Sequence, residues 1–114
     1  MPYISTKTNI ELAKDKRDAL AAKYGEIISI VPGKTERWLM LSFDGGAEMY
    51  FGGRGDEPMA YIELSLFGGT SDAVYDKLTA AVCDAGSEET GIAPANIYIK
   101  YEEAEHWGWN GSNF

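Results

Sequence analysis

Residues 60–101 read AYIELSLFGGTSDAVYDKLTAAVCDAGSEETGIAPANIYIKY. The short, mostly apolar run Ala60–Phe67 predicts a strand, which the following glycine pair closes. Apolar residues then recur at the spacing of one helix face, at Val74, Leu78, Ala81, Val82 and Ala85. We place the N-cap of this helix at Ser71 or Thr70 and its C-terminal end near Gly91. Residues 96–101 predict a last long strand, so this half of the chain is strand, helix, strand.

The first half of the chain repeats this order. Pro2–Thr8 alternates with a period of two, which predicts a strand at the start of the chain. Residues 11–31 predict a helix that ends at Pro32-Gly33, with one apolar face made by Leu20, Tyr24, Ile27, Ile28 and Val31. The apolar run 38–43 is short, which predicts a buried strand, and residues 49–51 are a candidate for a further short strand.

Two strand–helix–strand halves predict an α/β fold. We expect two right-handed βαβ units that share one mixed four-stranded sheet, with both helices on one face. A single domain then spans residues 1–114, because this length supports one hydrophobic core. A chain this short has nothing left to cover the opposite face of the sheet. Association with further copies of the chain is therefore expected.

Composition restricts the classes of function. The net charge of −8 argues against nucleic acids and anionic membranes as partners, although a few local cations suffice for a small anionic substrate. The single cysteine and single histidine exclude an internal disulfide and argue against a zinc site, and we expect no metal and no cofactor. We find neither a signal-peptide pattern nor an apolar run of the roughly 20 residues that span a membrane. We therefore expect a cytoplasmic protein.

Four features together resemble a known family. Pro2 directly follows the initiator methionine, Gly33-Lys34 follows the first predicted helix, Ile97-Tyr98-Ile99 lies in the last long strand, and GWNGSNF occupies residues 108–114. In this order and spacing they resemble the macrophage migration inhibitory factor and D-dopachrome tautomerase family of the tautomerase superfamily, along essentially the whole chain. The resemblance implies a homotrimer around a central channel, with active sites at the subunit boundaries. It also implies cofactor-free keto–enol tautomerisation of phenylpyruvate-like 2-oxo acids, and it leaves unconventional secretion open.

The resemblance assigns roles to several residues. It implies that Pro2, freed by removal of Met1, is the catalytic base, and that Lys34 binds the substrate carboxylate. An apolar pocket and a neighbouring lysine would both lower the pKa of a prolyl amine, which suits a base that works at neutral pH. The main chain of Phe67 is expected to bind substrate. The aromatic walls of the pocket are Tyr98, expected from the neighbouring subunit, and Trp109 and Phe114.

Each of these residues also has a purely structural interpretation. Pro2 could simply begin an edge strand, and Lys34 could be a solvated lysine at a helix C-terminus. Two residues depart from the family pattern: Lys100 stands in place of an asparagine that lines the pocket, and Trp107 in place of a small aliphatic residue at its mouth. Lys100 either adds a second cation to the site or points to solvent, whereas Trp107 narrows or reshapes the pocket.

Two other functions compete with a tautomerase. One is a cytokine-like signalling protein with a receptor partner and a vestigial pocket. The other is a hydratase or dehalogenase of the same superfamily, which would need additional arginines and an acidic residue to activate water. The only arginines are Arg17, Arg37 and Arg54, and none matches a family position.

Overall fold

The computed structural model describes residues 1–114, and its elements follow the predicted order. The strands and helices are β1 (Pro2–Thr8), α1 (Lys14–Ile27), β2 (Met40–Asp44), β3 (Ala60–Phe67), α2 (Asp72–Thr90), β4 (Ile97–Ala104), β5 (Gly108–Trp109) and β6 (Ser112–Asn113). Three short 3₁₀ turns are Ile28–Ile30, Glu36–Trp38 and Pro94–Asn96. Neither α-helix combines the length and apolar character needed to cross a membrane.

The four long strands form one mixed sheet in the order β2-β1-β3-β4. Strands β1 and β2 are parallel, as are β3 and β4, while the two central strands β1 and β3 run antiparallel. Each parallel pair is joined through one helix. The predicted pair of βαβ units in a single sheet is therefore confirmed.

Both helices pack on one face of the sheet, as predicted. Ile4 of β1 and Leu64 of β3 are fully buried in a single apolar cluster with Leu20 of α1 and Leu78 of α2. Every second residue of β1 and β3 is buried on this side, which explains their alternating pattern. Burial of this one face leaves the other to be covered by something outside the chain.

The opposite face of the sheet carries polar and aromatic side chains. Tyr3 and Ser5 of β1, with Glu63 and Ser65 of β3, remain partly exposed there. The Tyr3 hydroxyl lies 2.6 Å from the Ser42 hydroxyl on β2, so neighbouring strands also bond across this face. Contact of this face with further copies of the chain stays a prediction.

Two predicted elements have different lengths in the structure. Helix α1 begins at Lys14 rather than at residue 11 and ends at Ile27, where the 3₁₀ turn Ile28–Ile30 tightens the chain before Pro32. Strand β4 continues to Ala104, beyond the predicted residue 101, because it pairs with β3 along its whole length. Pairing with a neighbour, rather than local composition, sets the end of this strand.

The prediction of a buried strand at 38–43 is wrong in its burial and its start. Strand β2 begins at Met40 and lies at an edge of the sheet, where only β1 pairs with it. Met40 is 69% exposed, and Trp38 belongs to a 3₁₀ turn instead. Residues 49–51 form no strand either, since only an isolated bridge joins Phe51 to Arg54.

The aromatic tail folds into a hairpin that the sequence analysis did not predict. Strands β5 and β6 pair antiparallel around Asn110 and Gly111, which have φ values of 53° and 83°. Two consecutive positive φ angles with Asn-Gly are typical of the tightest hairpin turns. The Asn-Gly pair could therefore have predicted this hairpin from the sequence.

The structure decides which residue caps α2. The Val74 N–H donates to the Ser71 hydroxyl at 3.3 Å, whereas Thr70 precedes the cap. We expect Ser71→Ala to lower the free energy of unfolding by about 1 kcal/mol in urea denaturation. The matched change Thr70→Ala removes no cap bond and should shift it by less than about 0.5 kcal/mol. Equal losses in the two variants would contradict this assignment.

Candidate active site

A cleft of about 890 Å³ lies where the chain starts. Pro2 is opposite Leu66 near the end of β3, and the parallel strand β4 ends beside it with Ala104 opposite Phe67. Strand β2 starts next to Tyr3, so the ends of all four sheet strands and the tail hairpin surround one cavity. The lining includes Met1, Pro2, Arg37, Trp38, Met40, Glu102, Glu103, His106, Trp107 and Trp109.

Lys34 and the chain start meet at the main chain of Phe67. The Phe67 N–H donates to the Met1 carbonyl at 3.1 Å, and the Lys34 ammonium donates to the Phe67 carbonyl at 3.1 Å. Lys34 is brought here by the turn after α1, in which its N–H bonds to the Val31 carbonyl and Gly33 adopts a φ of 81°. Lys34 pairs with no carboxylate. Its charge is thus free to act on the cleft.

The terminal amino group has an altered acidity. Burial, the hydrogen bond of Lys34 and its positive charge together lower the pKa of the Met1 amine from 8.0 to about 6, with burial the largest cause. Both factors disfavour the cation. An amine at this position is therefore mostly the free base at neutral pH.

The aromatic rings that line the cleft belong to a connected cluster, in which Phe67 and Phe114 lie outside the lining. Trp38 and Trp109 meet nearly at right angles with ring centres 5.0 Å apart, and Trp109 stacks on Phe114 at 6.2 Å. Phe114 in turn lies 5.9 Å from Phe67. The Phe114 N–H donates to the Trp107 carbonyl at 3.0 Å, which holds the end of the chain against the hairpin. Four predicted residues, Phe67, Trp107, Trp109 and Phe114, thus come together around the chain start.

The sequence analysis missed part of the cleft lining. Trp38 and Arg37 line the cleft, although the apolar run from residue 38 favoured a buried strand. The guanidinium of Arg37 lies 5.0 Å from the centre of the Trp38 ring. His106 also lines the cleft.

The model of the macrophage migration inhibitory factor family matches residues 1–114. The chain belongs to this family. A crystal structure of Leishmania major MIF2 is 32% identical, covers 100% of this chain and 97% of its own, and superposes with a TM-score of 0.93. The homologue from Prochlorococcus marinus is 29% identical with a TM-score of 0.82, each chain being 98% covered. A macrophage migration inhibitory factor homologue from Brugia malayi is 28% identical over 116 residues, covering 100% of this chain and 99% of its own.

Tyr98 is distant from the cleft within this chain, and Lys100 is not part of the cleft lining although it pairs with Glu102, which is. Tyr98 pairs with Tyr61, which is five residues from Leu66 along β3, or roughly 17 Å. Tyr98 is 62% exposed and packs on Phe51 at 4.8 Å. Lys100 lies on the uncovered face of the sheet. A contribution of Tyr98 from a neighbouring subunit therefore stays a prediction.

The charges on β4 of this family member are paired with each other. The Lys100 ammonium lies 2.6 Å from the Glu102 carboxylate, and this pairing raises the pKa of Lys100. The Tyr75 hydroxyl donates to Glu103 at 2.5 Å, and burial together with this bond raises the pKa of Tyr75 to about 12. No three His, Cys, Asp or Glu side chains converge to hold a metal ion.

Proposed function

We propose that this chain is a cofactor-free keto–enol tautomerase that acts on phenylpyruvate-like 2-oxo acids. The main support is the environment of the chain start, where a partly buried amine with a lowered pKa lies beside Lys34, on a residue that lines an aromatic cleft. Removal of Met1 would make the Pro2 nitrogen the terminal amine of this site. Pro2 is itself buried, so the same desolvation would act on it.

The reaction needs one base and one anion-binding group. The Pro2 amine takes a proton from C3 of the oxo acid, and the electron pair left behind forms the C2=C3 bond while the carbonyl oxygen becomes an enolate. The resulting prolyl ammonium then returns the proton to that oxygen, so no net proton is gained or lost. A base with a pKa near the working pH is efficient in both directions.

Lys34 is suited to bind the carboxylate of the substrate. Its ammonium has three donors, of which the Phe67 carbonyl engages one, and no acidic side chain competes for the others. A cation beside the carboxylate also stabilises negative charge that develops on the enolate oxygen. The same cation keeps the prolyl amine in its basic form.

The rest of the pocket would hold the substrate ring. Trp107 and Trp109 line the cleft within one chain, and Phe114 stacks on Trp109. We propose that Tyr98 and Lys100 complete the pocket from a neighbouring copy of a homotrimer, because both lie on the sheet face that this chain leaves uncovered. Association around that face accounts for its mixed polar and aromatic character.

The test is phenylpyruvate tautomerisation, followed by ultraviolet absorbance, on protein whose N-terminus is shown by mass spectrometry to be Pro2. A Pro2→Gly variant, also verified as processed, serves as the control. We expect turnover well above the uncatalysed rate that collapses in the variant. No turnover from verified protein would exclude phenylpyruvate as a substrate.

Family membership equally supports a cytokine-like role. In that second candidate the cleft is vestigial and the protein acts by binding a receptor. Receptor binding by purified protein that shows no turnover would favour it. A hydratase or dehalogenase would instead consume an unsaturated or halogenated acid. Incubating the same protein preparations with such acids tests for this activity.

A further inference from the structure

Arg37 is an unpaired cation in the wall of the cleft. The chain has a net charge of −8, and Arg54 illustrates the usual outcome, since it is bound by both Asp56 and Glu57. Arg37 makes no ion pair and no side-chain hydrogen bond, although it lines a cavity that also contains Glu102 and Glu103. A free guanidinium among so many acids is available to an anion from outside the chain.

The carboxylates of the cleft are engaged elsewhere. Glu102 is paired with Lys100 at 2.6 Å, and Glu103 accepts the hydroxyl of Tyr75 at 2.5 Å. Neither is therefore a free partner for Arg37 within the chain. The cations without a carboxylate partner here are Arg37 in the lining of the cleft and Lys34, which lies beside the terminal amine of Met1.

The position of Arg37 is maintained by an aromatic contact. Its guanidinium carbon lies 5.0 Å from the centre of the Trp38 ring, and Trp38 is packed against Trp109. Cation–π contact uses the flat face of the guanidinium, which leaves the N–H donors in its plane free to bind a carboxylate through two parallel hydrogen bonds. Trp38 therefore contacts the guanidinium, whose N–H donors make no ion pair within the chain.

The two cations are close together in the sequence. Lys34 and Arg37 are three residues apart, so their Cα atoms are separated by at most roughly 10 Å. An aromatic 2-oxo acid can place its own carboxylate at one cation and a second acidic group, carried on the far side of its ring, at the other. Trp38 and Trp109 in the lining of the cleft would contact the ring.

We propose that Arg37 is a specificity-determining residue that binds a second carboxylate of the substrate, so that the preferred substrates are aromatic 2-oxo diacids. This inference rests on the proposed function, in which Lys34 holds the carboxylate next to the oxo group. It extends that function by naming the class of acid that the cleft selects. Arg37 takes no part in proton transfer.

The test measures binding rather than turnover. Benzoylformate and 4-carboxybenzoylformate are 2-oxo acids that cannot enolise, and they differ only by the distal carboxylate. Isothermal titration calorimetry gives their affinities for the full chain and for the Arg37→Gln variant. In both proteins Met1 has been removed, so that Pro2 is the terminal residue. Arg17→Gln is the matched control, because Arg17 is also unpaired but lies on α1 outside the cleft.

We expect Arg37→Gln to weaken binding of the diacid about tenfold and of the monoacid less than about twofold. Arg17→Gln should change neither affinity. The preference for the diacid should also shrink as ionic strength rises, because Arg37 is exposed and its charge is screened. Light scattering on each variant verifies that its assembly is unchanged.

Three results would overturn the inference. The first is an equal fold-loss of affinity for both ligands in Arg37→Gln, and the second is no loss of affinity for either ligand in that variant, since both leave the preference for the diacid unchanged. The third is no binding of the diacid to the unsubstituted protein. The proposed tautomerase activity fails separately, through absent phenylpyruvate turnover. Selective diacid binding in protein that does not turn over phenylpyruvate would therefore keep Arg37 as an anion-binding residue and reject only the reaction.

Discussion

Protein in which Pro2 stays within a peptide bond should lose about 10²- to 10⁴-fold of its tautomerase rate, which is the typical contribution of a positioned general base. An amide nitrogen has no basic lone pair, so it cannot accept the proton from C3. In the structure the Pro2 nitrogen is an amide of this kind, since Met1 is joined to Pro2. The Met1 carbonyl accepts a hydrogen bond from the Phe67 N–H. Any residue left before Pro2 would also occupy the cleft, because Met1 is part of its lining.

The comparison uses one fusion protein before and after cleavage. The uncleaved form carries an N-terminal extension ending at Pro2, and a protease that releases Pro2 gives its matched control. Affinity for benzoylformate, measured on both forms, separates loss of the base from simple blockage of the cleft. Equal phenylpyruvate turnover by the two forms would reject the prolyl amine as the base.

The second large effect is expected from Lys34→Ala. We expect kcat/KM for phenylpyruvate to fall about 100-fold, because the substrate carboxylate loses a charged hydrogen-bond donor. The pH profile should also move. Lys34 lowers the pKa of the Met1 amine through a hydrogen bond and its positive charge, and we expect the same effect on the Pro2 amine, so removal of Lys34 should raise that pKa. Since only the free base is active and it forms above the pKa, the acidic limb of the profile should shift to higher pH.

Two lysine variants make this test specific. Lys34→Arg retains the charge and should keep the acidic limb of the profile near its original position. Lys77→Ala removes an unpaired lysine from α2, outside the cleft, and should leave both rate and profile unchanged. A large loss of rate in Lys34→Ala with an unmoved profile would show that Lys34 acts on the substrate alone and does not set the acidity of the amine.

Elements governed by short-range patterns were predictable. The bounds of β1 and β3 agree with the alternation and apolar run seen in the sequence, because each is a central strand with one buried face. The end of α2 at Gly91 was equally readable, since that residue has a φ of 76°, which glycine adopts without strain. In these places the local signal and the tertiary environment favour the same structure.

Edges and turns were less predictable. The run 38–43 is apolar enough for a central strand, yet β2 lies at the edge of the sheet and Met40 is exposed. The local pattern shows that these residues are apolar. It does not show whether a further strand pairs with the other edge of this one. The tail hairpin was missed for a related reason, because strands of two residues are too short to show any period.

The sequence by itself determined the order of the elements, the family, and the residue types around which a tautomerase would be built. Local periodicity carries the first of these, and motifs such as Met1-Pro2 and Gly33-Lys34 carry the other two. Only the tertiary structure brought Lys34 onto the carbonyl of Phe67, 33 residues away, and placed Arg37 and Trp38 in the wall of the cleft. It also separated Tyr98 from Pro2 within one chain. These relationships depend on strand order and register, which arise from pairing between distant segments and leave no trace in a short window of sequence.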